Sequence, residues 1–263
     1  MTPASQLVTT AEPVTTDPSH NQVAVSARSL SKTYGTGPTA VHALRSVNLD
    51  IERGRFSAIM GPSGSGKSTL LHLLAGLDTA SAGSVRIDGQ ELGALGDDAL
   101  TRLRRDRVGF VFQSFNLIPT LTAAENIRLP LDLAGRQPDR AWFDYVIASV
   151  GIADRLNHRP SELSGGQRQR VAVARALVTR PAVAFADEPT GNLDSVSGAE
   201  VLRLLRDAVT HAGQTVVMVT HDPAAAAHAD RVVMLADGMI RHDLIAPGLD
   251  AIVAAVASGS ASA

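Results

Sequence analysis

The sequence predicts an α/β fold in which a mainly parallel sheet is covered by helices. Short apolar runs alternate with segments of helical periodicity: RFSAIM at 55–60 precedes KSTLLHLLAGL, and PAVAFAD at 181–187 precedes VSGAEVLRLLRDAV. A strand, a helix and a second strand at this spacing indicate parallel strands joined by crossover helices. With 263 residues, 44% hydrophobic and only 3% aromatic, the core is expected to be built from aliphatic side chains.

Composition excludes several classes of protein. The 24 basic and 26 acidic residues nearly balance, and a protein that tracks phosphate backbones needs a surplus of Lys and Arg, so no nucleic-acid partner is expected. Cysteine is absent, which excludes disulfides and thiolate metal sites. No apolar run is long enough to span a membrane, and the N-terminus does not read as a secretory signal, so we expect a cytoplasmic chain. Only Lys32 and Lys67 among the 24 basic residues are lysines.

The chain divides into one domain at 22–245 and two tails. Residues 1–21 are rich in Thr, Pro, Ser and Ala without an apolar period, and we expect them to be disordered. We expect 246–263, which ends in GSASA, to be a second tail. Inside the domain, about 91–164 changes to helical segments around the strand-like run VGFVFQ. We interpret it as a mainly helical insertion between core segments 22–90 and 165–245.

A phosphate-binding loop is the strongest signal. GPSGSGKST follows the strand FSAIM and opens an apolar-periodic helix, which is the context that this motif requires. The glycines let backbone N–H groups face inward, and the helix adds its positive dipole end. Lys67 is expected to reach the β- and γ-phosphates of a nucleotide, and the Ser68 hydroxyl to ligate Mg²⁺. The candidate nucleotide-binding residues are Gly61, Pro62, Ser63, Gly64, Ser65, Gly66, Lys67, Ser68 and Thr69.

Two acids end the strand AVAFADEP at 182–189. Both carboxylates are expected at the carboxyl edge of the sheet, where the phosphate loop also lies. Asp187 is placed to hold Mg²⁺ through water, and Glu188 is the candidate general base that orients and deprotonates the attacking water.

A second anion site is predicted at LSGGQRQRVAVARAL, 163–177. Ser164 is a plausible N-cap, and Gly165, Gly166 and Gln167 begin a long amphipathic helix whose N-terminus can approach an outside ligand. Lys67 and Ser164 are 97 residues apart. One nucleotide cannot easily use both helix N-termini if they lie on different lobes, so the second site suggests the nucleotide of another copy.

With these motifs in place, residues 22 to 243 resemble the ATP-binding subunit of ABC transporters. The resemblance implies a P-loop NTPase (RecA-like) core, an antiparallel β-subdomain and an inserted α-helical subdomain. It implies that Tyr34 in SKTYG stacks on adenine, and that Gln113 in GFVFQ is the Q-loop glutamine that touches Mg²⁺ or the attacking water. It also implies that Asp194 in GNLD crosses a dimer interface, and that His221 in MVTHD contacts the γ-phosphate.

Within the family, three stretches are similar to the branch of macrolide-export, lipoprotein-release and cell-division ATPases: TAVHALRSVNLDI, FQSFNLIPTLTAAENI and ADEPTGNLDSVSG. The resemblance implies ATP and Mg²⁺ as cofactors. It implies two partners, a second copy of the chain and an integral-membrane permease with an extracytoplasmic domain. The expected location is the cytoplasmic face of the membrane, as a peripheral motor subunit.

Two other functions compete with the transporter interpretation. DNA-repair and chromosome ATPases carry long coiled-coil or zinc insertions between the two anion motifs, and 97 residues without cysteine or heptads leave no room for one. A regulatory module of the cell-division type, whose ATP cycle switches an extracytoplasmic partner through a permease without transport, remains open beside the exporter interpretation.

Overall fold

The computed structural model describes residues 22–260, with the side chains of 259 and 260 left aside. Two sheets form the framework, and strands β1 to β10 follow chain order. Their bounds are Val23–Tyr34, Val41–Glu52, Phe56–Met60, Ala82–Ile87, Gln90–Glu91, Val108–Phe112, Val183–Asp187, Val216–Val219, Arg231–Ala236 and Met239–Ile245. The predicted tail at 1–21 lies outside the described residues.

The larger sheet has the strand order β10-β9-β3-β8-β7-β6, and only β10 runs antiparallel to its neighbour. All five residues of β3 are buried, as expected for a central strand covered on both faces. The smaller sheet, β2-β1-β4-β5, is antiparallel throughout. The predicted mainly parallel core and antiparallel β-subdomain are therefore confirmed.

Eight α-helices, numbered α1 to α8, pack on the sheets within the described residues. Their bounds are Lys67–Leu74, Asp97–Arg107, Ala123–Leu133, Arg140–Val150, Gly165–Leu177, Ser195–Ala212, Pro223–Ala226 and Leu249–Ser260. Helices α3, α4, α5 and α6 share one hydrophobic core with a face of the large sheet. Helix α1 packs in a second core between the two sheets. No helix among the described residues is both long and apolar enough to cross a bilayer.

The start of the helical insertion differs from the predicted boundary near residue 91. Strand β6 is the edge of the large sheet and pairs with β7, and Leu103 of α2 belongs to the core of α1 and the small sheet. The insertion proper begins beyond Phe112, with α3 and α4 packed on α5. Helical periodicity marks α2 as a helix, but it does not say which core receives its apolar stripe.

The predicted tail at 246–263 contains helix α8, whose Ile252 is fully buried in the larger core. The expectation of a tail is wrong over Leu249–Ser260, because the segment LDAIVAAVA carries enough apolar surface to be held against β9, β10 and α7. Residues 261–263 lie outside the described part of the chain.

Candidate nucleotide site

The phosphate loop connects β3 to α1. Helix α1 begins after Gly66, an N-cap residue with φ of 98° and no capping side chain. The first N–H groups of a helix need partners from outside it, and the side-chain oxygen that a Ser or Asp would supply is absent here. The N-terminus of α1 is therefore built to receive an external anion.

Two loop glycines are required by close packing. A Cβ on Gly61 would lie 2.0 Å from the carbonyl oxygen of Leu235, and one on Gly66 would lie 2.3 Å from that of Ala43. Pro62, Ser63 and Gly64 are exposed at the rim of the loop, whereas Ser65 is buried and Thr69 is half-buried. The loop backbone is thus wedged between β2 and β9 with its rim open to solvent.

Lys67, the first residue of α1, has a buried side chain, and its Nζ donates to the carbonyl oxygen of Pro62 at 2.9 Å. Burial lowers the pKa of Lys67 below its ordinary value, although the charges of Glu188 and Asp187 oppose the shift. A triphosphate at the loop would supply the negative charge that a buried ammonium lacks. The arrangement favours binding of an anion beside Lys67.

Asp187 ends β7 beside α1. Its Oδ1 is buried without a hydrogen-bond partner, and its Oδ2 lies 4.0 Å from Nε2 of His72. Burial raises the pKa of Asp187, against the opposing influence of His72, Ser68 and Lys67. His72 was missed from the sequence, yet it lies four residues after Ser68 and so on the same face of α1.

The donor set fits Mg²⁺. The unpartnered carboxylate oxygen of Asp187 and the hydroxyl of Ser68 beside that residue are oxygen donors of the kind that this ion takes. The described residues contain no cluster of three His, Cys, Asp or Glu side chains that could hold a metal alone.

Glu188 lies one residue beyond β7 in the left-handed region, with φ of 46°. A positive φ is uncommon for a residue with a side chain and is frequent at functional sites. Its Oε1 lies 2.9 Å from Nδ1 of His221, which follows β8 and is 71% exposed. The pairing of β7 with β8 brings these predicted residues together.

Gln113, after β6, is tied to the loop that follows Glu188. Its backbone carbonyl accepts from Nδ2 of Asn192 at 3.1 Å, and its Nε2 donates to Oδ1 of Asn192 at 3.4 Å. Gln169 of α5, fully buried, donates to the carbonyls of Phe112 and Pro189. Neither Asn192 nor Gln169 was found from the sequence, although a glutamine on the buried face of α5 was a signal.

Tyr34 ends β1 and is 44% exposed. Its hydroxyl donates to Oδ2 of Asp78 at 2.8 Å, and the Nζ of Lys32 lies 4.8 Å from its ring centroid. The ring therefore presents a partly exposed aromatic surface that is fixed by side chains from two elements. Sequence reasoning found Tyr34 and missed Asp78.

The segment Ser164–Gln167 forms a closed helix N-terminus. The Ser164 hydroxyl accepts the N–H of Gln167 at 3.2 Å, and the Gln167 side chain accepts the N–H of Ser164 at 2.9 Å. A Cβ on Gly166 would lie 2.9 Å from Oγ of Ser197, so a side chain there would have to displace that of Ser197. A Cβ on Gly165 would lie 3.5 Å from Cδ2 of Leu193, which is an ordinary contact distance.

Asp194 caps α6. Its Oδ1 accepts the N–H groups of Val196 and Ser197, and its Oδ2 accepts the Ser197 hydroxyl. These hydrogen bonds lower the pKa of Asp194 below its ordinary value. Asp194 therefore has a role within its own helix, and its crossing of a dimer interface stays a prediction.

The predicted site residues separate into two groups. The structure gathers those of the loop 61–69 with Asp187, Glu188 and His221 at one edge of the sheet. Within the described part of the chain, no hydrogen bond joins that loop to the segment 164–167. In the described part of the chain, the open N-terminus of α1 and the capped N-terminus of α5 are therefore separate places.

Comparison with protein families gives a match between residues 44–191 and the model of the ABC transporter family. The chain is 49% identical over 216 residues to the macrolide export ATP-binding/permease protein MacB of Marinobacter nauticus, with 81% of this chain and 33% of that protein covered. It is 44% identical over 230 residues to the ABC transporter ATP-binding protein MJ0796 of Methanocaldococcus jannaschii, covering 85% and 97%. The chain spans about a third of the length of the macrolide-export relatives that it matches.

Solved structures agree. A dimeric post-hydrolysis structure of the ATP-binding cassette MJ0796, bound to ADP and Pi, is 43% identical with a TM-score of 0.76, covering 85% of this chain and 99% of that chain. The protein cbiO1 of Clostridium perfringens, part of the ABC transporter complex cbiONQ, is 28% identical with a TM-score of 0.75, covering 84% of this chain and 88% of that chain. The predicted fold class and the predicted branch are confirmed.

Proposed function

The chain belongs to the ABC transporter family as an ATP-binding cassette of the macrolide-export branch, and from this premise we propose how its site hydrolyses ATP. The carrying observation is the uncapped N-terminus of α1 beside the unpartnered Oδ1 of Asp187. A triphosphate at this loop would accept backbone N–H groups, and Lys67 would exchange the carbonyl of Pro62 for the β- and γ-phosphates.

Mg²⁺, when bound, would neutralise charge between the β- and γ-phosphates. Ser68 would ligate it directly, and Asp187 and Gln113 would hold it or its water ligands. This assignment is supported by the oxygen donors that α1 and β7 bring together. Gln113 enters from β6, where its bond to Asn192 already places it against the segment after Glu188.

Glu188 is proposed as the general base. Water attacks the γ-phosphorus, its proton passes to the Glu188 carboxylate, and the bond from the γ-phosphorus to the bridging oxygen breaks to give ADP and phosphate. Nδ1 of His221, 2.9 Å from the carboxylate, orients it, which leaves the other ring nitrogen for the γ-phosphate. The positive φ of Glu188 at the carboxyl end of β7 agrees with a functional role, since such backbone conformations cluster at active sites.

A second copy is proposed to complete the site. Among the described residues, no hydrogen bond joins the segment 164–167 (Ser164, Gly165, Gly166 and Gln167) to the phosphate loop of the same chain. The Ser164 hydroxyl accepts in the capping box and still has its own proton to donate. Paired head to tail, each copy would close the nucleotide of the other, with Asp194 at the interface. The dimeric cassettes among the similar structures support this arrangement.

The proposed membrane partner is a permease at the cytoplasmic face. Support comes from the relatives named as ATP-binding/permease proteins. The segment after Gln113 offers a contact surface, because Ile118 is 39% exposed there while Arg175 holds the carbonyls of Phe115 and Asn116. Movement of Gln113 would shift this segment, which couples the nucleotide to the partner. An extracytoplasmic domain on that partner belongs to this proposal.

Replacing Glu188 by Gln tests the mechanism. Turnover of ATP is expected to fall by about 10²–10⁴-fold, since the amide orients water but takes no proton, while ATP binding persists. Steady-state phosphate release and equilibrium binding are measured in parallel. Glu91→Gln, the same change at an exposed residue paired with Arg86, is the control and should keep full turnover. Wild-type turnover by Glu188→Gln would assign the base elsewhere.

A further inference from the structure

Lys32, one of two lysines in the chain, has no role in the proposed hydrolysis of ATP. Its Nζ lies 2.7 Å from Oδ1 of Asp78, 2.6 Å from the carbonyl oxygen of Thr79 and 4.8 Å from the ring centroid of Tyr34. The side chain is only 12% exposed. Since nearly all other basic residues of the chain are arginines, we ask why a lysine and not an arginine occupies this enclosed position.

The ammonium group supplies that reason. Its three N–H donors radiate from one compact centre, so two serve Asp78 and Thr79 while the charge lies over the ring. The planar fork of an arginine would not divide its donors in this way. Lys32 thus lies over one face of the Tyr34 ring, and Tyr34 remains 44% exposed to a ligand.

Asp78 fixes the ring from a different element. Burial alone would raise its pKa, but hydrogen bonds from Lys32, Tyr34 and the N–H of Thr79 hold the pKa of Asp78 below its ordinary value. Asp78 lies four residues beyond α1, the helix whose other end begins the phosphate site. The ring is therefore anchored to the loop that follows the helix that would hold the phosphates.

Resting on the proposed function, we propose that Lys32 and Asp78 are positioning residues that hold Tyr34 as a one-faced stacking platform for a purine base. The Tyr34 hydroxyl donates its proton to Asp78, so Tyr34 offers the base the face of its ring rather than a hydrogen-bond donor. Stacking accepts any base with a π face. The pair therefore sets the spacing of base and triphosphate, and the platform accepts adenine and guanine alike.

The test compares three ligands by titration calorimetry: Mg-ATP, Mg-GTP and inorganic tripolyphosphate with Mg²⁺, which has no base. Lys32→Met and Asp78→Asn are expected to weaken ATP and GTP by the same factor, about fivefold or more, from the worth of one stacked base. Tripolyphosphate affinity stays unchanged, and KM rises while kcat is kept. Tyr34→Phe, which loses only the hydroxyl, changes in the same direction by a smaller factor.

Arg28→Met is the matched control, since it breaks the ion pair with Asp50 on the same sheet; it should change none of the three affinities. An equal loss for tripolyphosphate in the Lys32 or Asp78 variants would mean a general structural defect and overturn the inference. So would unchanged ATP affinity, or wild-type protein that binds GTP more than tenfold weaker than ATP. Wild-type protein that binds none of the three would overturn the proposed function as well, which separates the two failures.

Discussion

Two helix N-termini with the same proposed ligand are finished differently. Helix α1 starts at Gly66, in a left-handed conformation and with no side chain to cap it. Helix α5 is N-capped by Ser164, and the capping box of Ser164 with Gln167 provides a hydrogen-bond partner for the backbone N–H of each of these two residues. The first end depends on an outside anion for its N–H groups, whereas the second is stable without one.

This difference separates binding from closure. An uncapped end gains most from a triphosphate and is expected to hold it in a single chain. A capped end offers less, so it is expected to engage a phosphate only after another copy has bound it. We therefore expect the two sites to act in sequence, first nucleotide binding at α1 and then closure by α5, rather than to compete for one ligand.

The largest expected effect within this comparison is at the open end. Lys67→Ala removes a charge-assisted contact worth about 1.5–3 kcal/mol, so ATP affinity should fall roughly 10- to 150-fold. Titration of the single chain measures it. Arg102→Ala, which removes a positive charge from the exposed face of α2, should leave the affinity unchanged. An equal loss of ATP affinity in both variants would mean that the effect comes from the net charge of the protein and not from a contact between Lys67 and the phosphates.

An intermediate effect is expected at the closed end. Ser164→Ala should lower the free energy of unfolding by about 1 kcal/mol through loss of the N-cap, measured by urea denaturation, and leave ATP binding by the single chain unchanged. Ser164→Asp keeps a capping oxygen and should restore the stability. Weaker ATP binding by the single chain in either variant would contradict the separation of the two ends.

The smallest effect is expected at a third N-terminus, that of α6. Hydrogen bonds depress the pKa of Asp194 below its ordinary value of 3.8, so its stabilisation is full above 3.8 and is lost as the pH falls through the lower folded value. The melting temperature of Asp194→Ala should therefore lie below wild type at neutral pH and approach it in acid. Asp194→Asn, which keeps the cap, is the control. If the melting temperature of Asp194→Ala lay below that of wild type by the same amount at every pH, the charge of Asp194 would not contribute to the stability.

Local patterns predict most of the site. The loop 61–69 and the strand that ends at Asp187 are each specified within a dozen consecutive residues, and the structure places both as expected. Ser164 was predicted as an N-cap from its position before a helical period, and its side chain makes that hydrogen bond. In these places backbone geometry and residue type together determine the contact.

Contacts between distant segments were beyond the sequence. The hydrogen bond of Glu188 with His221 requires β7 and β8 to be neighbours, and the strand order β3-β8-β7-β6 is decided by how the crossover helices pack. Gln113 meets Asn192 across the same edge. Helix α8 was missed because the small polar residues that follow it are typical of a disordered tail, whereas the burial of Ile252 in the larger core depends on contacts with distant segments.

The central claim, that Ser164 of one copy closes the nucleotide bound at Lys67 of another, is tested most directly by sedimentation velocity of Glu188→Gln. With saturating Mg-ATP this variant should sediment as a dimer, since nucleotide is held and not hydrolysed, and with ADP alone as a monomer. Adding Ser164→Asp, which places a carboxylate against the incoming phosphates, should return it to a monomer. A monomer at saturating Mg-ATP, an equal dimer in ADP, or a dimer that survives Ser164→Asp would contradict the account.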